Sequence, residues 1–227
     1  MNFTEGEVLL FDKPYGWTSF QLVNKIRWLL CRKLNIKKLK VGHAGTLDPL
    51  ATGLMVICTG KATKKIPELT GFDKEYIAEM KIGETTPSFD KETLVDKVYP
   101  TEHIDKSTIE GALMKFRGEI EQIPPDFSAK YVDGKRAYHF ARKGIEIELK
   151  PSKITINEIE LISYENLHAV IRINSSKGTY IRSVARDLGR ELQSGAYLTA
   201  LQRTQIGSYT LEGALTIQKF ENILETL

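Results

Sequence analysis

Cysteine is nearly absent from this chain: Cys31 and Cys58 are the only two in 227 residues. That excludes a disulfide framework and a cysteine-rich metal centre. The four histidines, His43, His103, His139 and His168, lack the paired spacing of metal ligands, so no metal is expected. No apolar run is long enough to cross a bilayer. The start, Met1-Asn2-Phe3-Thr4-Glu5, shows neither a basic segment followed by an apolar stretch nor a transit-peptide composition. The expectation is a soluble cytoplasmic protein. Internal repeats, low-complexity segments and linkers are also missing, which makes one domain over residues 1–227 the economical reading. The only glycine-rich loop lacks the Gly-Lys-Ser/Thr ending of a phosphate-binding P-loop, so phosphoryl transfer is set aside.

The content that remains is that of a globular chain. Hydrophobic residues make up 41%, enough for one substantial core or two modest ones. A formal net charge of +3 is too small to identify a nucleic-acid binder. The cations are unevenly placed, however: Lys25, Arg27, Arg32, Lys33, Lys37, Lys38 and Lys40 follow one another with no acid among them. Such a run attracts phosphates in a salt-sensitive way, or is an ordinary solvated face.

It leads into Gly42-His43-Ala44-Gly45-Thr46-Leu47-Asp48-Pro49-Leu50-Ala51-Thr52-Gly53, glycines and small residues around a lone carboxylate. Glycines permit backbone conformations closed to other residues and allow close approach by a partner. Pro49 stiffens the chain and pushes Asp48 toward extended geometry. An acid presented this way suits a nucleophile, although a turn with a local aspartate hydrogen bond has the same composition.

Periodicity supplies the elements. Thr18 or Ser19 caps a helix with an apolar stripe at Phe20, Val23, Ile26 and Leu29. Leu54 to Cys58 reads as a buried strand, and Tyr76, Ala78, Met80 and Ile82 alternate as one face of another. Ser107 with Glu110 predicts a capping box for a helix burying Ile109, Leu113 and Phe116. Ile154 to Leu161 and Ala169 to Asn174 have strand character. Thr179 to Leu192 predicts a helix with Tyr180, Val184, Leu188 and Leu192 on one stripe. Spacing alone makes Arg182, Arg186 and Arg190 a solvated face, whereas the preceding Ser-Lys-Gly-Thr-Tyr run favours a functional loop-to-helix junction. Between these lies Gln122 to Tyr138, where a double proline, a glycine, aromatics and cations alternate; that pattern suits either stacking on unpaired bases or anchoring a long loop. Strands and helices intersperse without regular alternation, so the fold class is α+β.

Four ordered segments together carry a resemblance. They are Gly6-Glu7-Val8-Leu9-Leu10-Phe11-Asp12-Lys13-Pro14-Tyr15-Gly16-Trp17-Thr18-Ser19, the Asp48 loop, Tyr76 followed by Gly83, Thr85 and Asp90, and Ser175-Ser176-Lys177-Gly178-Thr179-Tyr180-Ile181-Arg182-Ser183-Val184-Ala185-Arg186-Asp187-Leu188-Gly189. They resemble the motifs of the TruB family of tRNA pseudouridine synthases, from Gly6 to about Gly207. The resemblance implies a pseudouridine synthase fold: a central mixed, largely antiparallel sheet flanked by helices, with a projecting RNA-gripping thumb at about 122–152. It implies isomerisation of the uridine at position 55 in the T loop of tRNA, by base flipping, with no cofactor.

By the same resemblance Asp48 is the nucleophile. Tyr76 stacks on the flipped base and takes part in the final proton removal, and Arg182 pairs with the aspartate. His43, Asp90, Tyr180 and Leu201 fall at substrate-contacting positions, although Tyr180 and Leu201 also have the character of core residues, and Asp90 that of a loop-ordering acid. The chain departs from the pattern at Ser88 and Phe89, and lacks the glycine that commonly follows the aspartate at 90. It also ends within about twenty residues of Gly207, so no C-terminal PUA domain is expected. A stand-alone, monomeric tRNA enzyme follows, with no membrane, obligatory protein partner or guide RNA. Two rivals remain: an RNA-binding or tRNA-folding protein without isomerase activity, and a synthase acting on another RNA.

Overall fold

A computed structural model describes residues 2–128, 130–132, 134–145 and 147–226. In chain order the elements are β1 (Val8–Lys13), α1 (Ser19–Lys33), β2 (Val41–His43), β3 (Ala51–Thr59), a 3-10 turn at Gly60–Lys65, α2 (Ile66–Gly71) and β4 (Lys74–Ile82). There follow β5 (Glu84–Thr85), β6 (Lys97–Val98), α3 (Lys106–Met114), β7 (Gly118–Gln122), β8 (Tyr131–Val132), β9 (Lys135–Arg136) and α4 (Ala137–Ala141). The last are β10 (Ser152–Glu165), β11 (His168–Ser175), α5 (Ile181–Glu191), β12 (Ala196–Ile206), β13 (Tyr209–Thr210) and α6 (Ile217–Thr226). Two compact units result, Met1–Tyr76 with Leu201–Leu227, and Ile77–Ala200.

The first unit is built around β3, whose residues from Gly53 to Thr59 are all buried. A strand covered on both faces reads as a continuous apolar run, which is why Leu54 to Cys58 shows no alternation. β1 pairs with it antiparallel from Val8–Cys58 to Lys13–Gly53, and β2 antiparallel from Val41–Thr59 to His43–Ile57. β12 pairs with it in parallel, Leu201 beside Ala51 and Arg203 beside Gly53, and this parallel pairing makes the sheet mixed. One core cluster gathers Ala44, Leu54, Val56, Cys58, Leu69 and Ile206. Phe220 of α6 closes another part, packing edge-on against Phe11 at 5.1 Å.

α1 begins as expected from its cap. The Thr18 hydroxyl accepts from the Gln21 backbone N–H while the Gln21 side chain receives the Thr18 N–H. Its buried face differs from the expected stripe: Leu22, Val23, Ile26 and Leu30 are inside, and Phe20 is 64% exposed. The basic cluster is partly engaged as well, Lys25 pairing with Glu221 at 2.7 Å and Arg27 donating to the Val41 carbonyl at 3.1 Å.

In the second unit the order runs β12-β4-β11-β10-β7. β10 pairs antiparallel with β11 and with β7, with irregularities at Ile156/Glu158 and Leu161/Ser163. β4 alternates as predicted, burying Lys74, Tyr76, Ala78, Met80 and Ile82. α3 buries Ile109 and Leu113, but its cap is Asp105, which accepts from Thr108 N–H at 2.7 Å, instead of Ser107. Aspartate caps as well as serine, and the register of the apolar stripe admits either.

α5 starts at Ile181 and is the most enclosed helix, with eight of its eleven residues buried. Arg182 and Arg186 are among them, which overturns the solvated basic face; of the three arginines only Arg190 is exposed, with 68% of its side chain open. Within the 122–152 segment, Ala129, Asp133 and Glu146 lie outside the described residues. The rest holds the short β8–β9 hairpin and α4, with Tyr131 66% exposed and Pro124 and Pro125 buried.

Candidate active site

In the first unit the backbone around Asp48 is held from both sides. Before it, the Ser19 hydroxyl donates to the Leu47 carbonyl at 3.0 Å and accepts from the Leu47 N–H at 2.8 Å, tying the loop to the start of α1. After it, the Gly16 N–H donates to the Pro49 carbonyl at 2.9 Å, and Ala51 N–H to the Asp48 carbonyl at 3.1 Å. Gly45 and Gly53 take φ values of +120° and +100°, conformations that L side chains avoid. A Cβ on Gly53 would fall 2.3 Å from the Arg203 carbonyl oxygen, so close backbone approach requires this glycine.

Two buried cations support the loop from beneath. Lys13 has no exposed surface, and its Nζ donates to the carbonyls of Pro14 at 3.1 Å, Trp17 at 2.6 Å and Pro49 at 3.3 Å. Burial lowers its pKa to about 8, an effect opposed by attraction to the Asp48 carboxylate and reinforced by the nearby Arg203 charge. Arg203 is equally enclosed. Its Nε donates to the Leu54 carbonyl at 2.8 Å, Nη2 to that of Gly45 at 3.1 Å and Nη1 to that of Thr46 at 3.4 Å. Desolvation lowers the Arg203 pKa and the Tyr76 oxygen counters that.

Four predicted residues therefore belong to this unit. Asp48 is half-buried on the clamped loop, and Tyr76 is buried in β4. Leu201 is half-buried in β12 beside Ala51, three positions after the aspartate. His43 ends β2; burial, and then the Arg203 charge, lower its pKa, favouring the neutral imidazole.

The other three lie in the second unit. Asp90 and Arg182 are both buried, with Asp90 Oδ2 3.6 Å from Arg182 Nε. The Arg182 guanidinium also donates to the carbonyls of Phe127 at 2.9 Å and Ser88 at 3.3 Å. Asp90 Oδ1 accepts from the Ser88 hydroxyl at 2.6 Å and the Glu92 N–H at 2.9 Å. The Ser88 hydroxyl thus orders the loop. It also has a strain: Phe89 sits at φ 57°, where a glycine would be at ease. Tyr180 is the N-cap position of α5, its backbone clamped by Gln122, whose side chain accepts from Tyr180 N–H at 2.8 Å and donates to Tyr180 O at 3.2 Å. Ser183 and Arg186 both donate to the Ile123 carbonyl, at 2.8 and 3.0 Å, so α5 anchors the start of the 122–152 segment.

Sequence reading missed Lys13, Arg203 and Gln122. Lys13 had a signal, standing inside the first motif; Arg203 and Gln122 had none in local spacing, because their partners lie up to 158 residues away. Among the described residues no cluster of three or more His, Cys, Asp or Glu is disposed to hold a metal ion. No helix among them is long and apolar enough to cross a membrane.

Known structures place this arrangement in a class. The fold is similar to one chain of a crystal structure of a Cbf5-Nop10-Gar1 complex, with a TM-score of 0.71 and 26% identity over 97% of this chain and 54% of that one. A chain of an H/ACA RNP bound to a substrate RNA containing 2′-deoxyuridine matches with a TM-score of 0.69, 26% identity, and 97% and 53% coverage. The protein thus spans about half the length of those solved chains. It has the pseudouridine synthase fold, α+β with a mixed, mostly antiparallel sheet.

Residues 32–181 match the TruB family pseudouridylate synthase N-terminal domain. A tRNA pseudouridine synthase B of Phocaeicola vulgatus is 59% identical over 99% of this chain and 96% of its own. One of Flavobacterium johnsoniae is 52% identical, with 98% of each chain covered. The chain belongs to the TruB family of pseudouridylate synthases, and is an isomerase.

Proposed function

We propose that this enzyme converts uridine 55 in the T loop of tRNA to pseudouridine, with Asp48 as nucleophile. The observation that carries this reading is the clamp on the Asp48 loop. Ser19, Gly16 and Lys13 hold the residues on either side of the aspartate, and Arg203 those just before. A carboxylate on a fixed backbone costs little reorganisation when it meets the reacting carbon, which favours covalent catalysis over a merely local turn. The relatives, tRNA pseudouridine synthases by name, supply the substrate class.

The target uridine leaves its stack, at a cost of a few kcal/mol. Tyr76 forms the aromatic wall for the base, with His43, Leu201, Tyr180 and Asp90 as the remaining contacts. Asp48 opens the reaction at the glycosidic bond. The N1–C1′ bond breaks, the uracil turns, C5 joins C1′, and the C5 proton leaves while N1 gains one, so uridine and product are isomers. Arg182 is the cation that keeps the nucleophile charged and oriented. The 122–152 segment acts as the thumb on the RNA, its exposed Tyr131 offering a stacking face. The enzyme works in the cytoplasm as a monomer, without guide RNA, protein partner, metal or cofactor.

Pseudouridine mapping of an unmodified tRNA transcript, incubated with the purified chain alone, tests this. Product confined to the T-loop uridine, and lost in Asp48→Ala that still binds RNA, is expected. Product at other uridines would keep the chemistry and overturn the substrate. RNA binding with no product from the wild type would replace the reading with an RNA-folding role.

A further inference from the structure

Gln122 ends β7 on the covered face of that strand. Burial alternates along Gly118–Gln122, with Glu119 and Glu121 exposed and Gln122 turned inward, only 2% exposed. Its backbone is held in register by β10, where it stands opposite Ser152. An enclosed carboxamide is costly unless both of its ends are satisfied, because each unpaired group forfeits its hydration. Here both ends go to one residue. Oε1 accepts the Tyr180 N–H at 2.8 Å, and Nε2 donates to the Tyr180 carbonyl at 3.2 Å. The two partners settle which end of the amide is which.

Holding the N–H and the C=O of a single residue fixes the peptide planes on either side of it, and with them its two soft dihedrals. Tyr180 is where such support matters. It is the last extended residue before α5, at φ −97° and ψ 109°, and its side chain makes no cap bond to the helix. Its carbonyl also receives the first helical bond, from the Val184 N–H at 3.2 Å. The direction in which the half-buried tyrosine leaves the backbone is therefore set from β7, 58 residues earlier. Ser183 Oγ and Arg186 Nη2 both donate to the Ile123 carbonyl, at 2.8 and 3.0 Å, and those bonds alone would dock α5 on the end of the strand. The carboxamide adds control over the backbone of the residue just outside the helix.

We propose that Gln122 is a positioning residue for the isomerisation, which sets the Tyr180 side chain for the flipped uracil by fixing the Tyr180 backbone. The inference rests on the reading that Tyr180 contacts the base. Being enclosed, Gln122 acts on the chemical step only through Tyr180, and a misplacement of about 1 Å at a site contact costs up to about a hundredfold in rate.

Two replacements of similar length test this. Gln122→Met removes both bonds. In Gln122→Glu the protonated acid offers one O–H donor and one carbonyl acceptor, as the amide does, whereas the carboxylate only accepts. Burial raises the pKa of such an acid. Each protein is measured for melting temperature, tRNA affinity and single-turnover rate of pseudouridine formation from about pH 6 to about pH 9. Gln122→Met is expected to keep tRNA affinity, to slow the single turnover by about tenfold, and to add no further loss to Tyr180→Ala. The rate of Gln122→Glu, divided by that of the wild type at the same pH, is expected to fall at least about threefold as pH rises. An unchanged rate in Gln122→Met, a full further loss on top of Tyr180→Ala, or a flat rate ratio overturns the proposal. A flat ratio does so even where the melting temperature follows pH, since that pattern marks a clamp that only holds the core. Should Gln122→Met fail to fold, the Gln122→Glu ratio decides, and failure of both to fold also overturns it. Tyr180→Ala alone separates the two levels: a wild-type rate there sinks the reading of Tyr180, whereas a slow Tyr180→Ala with no effect of Gln122 sinks only the role of Gln122.

Discussion

Lys13 shows how a single buried side chain sets a testable pH dependence. Its pKa stands near 8 in the folded protein against an ordinary 10.5, because burial outweighs the attraction of Asp48. Between those values the unfolded chain keeps a proton that the folded one has released, so stability rises with pH across that window. The penalty for holding the charged form is fully present below pH 8, and amounts to about 3 kcal/mol at most. Denaturant unfolding from pH 7.5 to 10.5 is expected to show the wild type gaining on Lys13→Met; a constant difference would mean that Lys13 is not burdened by burial. At Arg182 the expectation concerns rate. Its fork engages Phe127 O, Ser88 O and Asp90, so Arg182→Lys is expected to slow turnover by about tenfold or more with little change in tRNA affinity. Near wild-type turnover would remove Arg182 from the mechanism. Asp48 and its glycines were legible because the loop carries its own instructions. Arg182 was legible as a motif member, yet its burial contradicted the exposed face that helical spacing suggested, since α5 is covered on nearly all sides.

Among the elements, helix ends give the sharpest predictions. The reciprocal Thr18–Gln21 cap satisfies two orphan donors at the start of α1, the helix to which Ser19 ties the Asp48 loop. Thr18→Ala is expected to destabilise the protein by about 1 kcal/mol, measured as a lower denaturant midpoint at unchanged slope. After α5, Gln193 adopts φ 51°, a left-handed position that favours glycine. Gln193→Gly is expected to raise stability by roughly 0.5 to 1 kcal/mol, and a loss would mean that the exposed glutamine makes contacts worth more than its strain. Element type was readable from period and composition: α1, β3, β4, α3, β10, β11 and α5 all occur where periodicity placed them. Details that rest on packing were not. Phe20 falls on the apolar stripe of α1 yet points outward, and Asp105 took the cap of α3 in place of Ser107, because the residue that reaches the Thr108 N–H is set by where the chain enters the helix.

For the molecule as a whole, the formal charge of +3 hides an asymmetric distribution, with seven cations between Lys25 and Lys40. Binding to unmodified tRNA is expected to weaken as salt rises, with log affinity linear in log salt and a slope reporting about 0.7 to 0.9 per phosphate neutralised. A salt-insensitive affinity would assign recognition to stacking and hydrogen bonds instead. From the amino-acid order alone came the α+β class, the strand and helix periods, the family, and the proposed site residues Asp48, Tyr76 and Arg182, because glycine and proline chemistry, apolar spacing and motif order are local properties. The tertiary structure alone decided what holds them. Lys13 and Arg203 support the Asp48 loop only because β1 and β12 pair on β3 in one register, and Gln122 clamps Tyr180 only because β7 reaches the start of α5. A one-residue slip of such a strand would send those side chains to the opposite face, and nothing in local spacing encodes a register set by pairing across the chain.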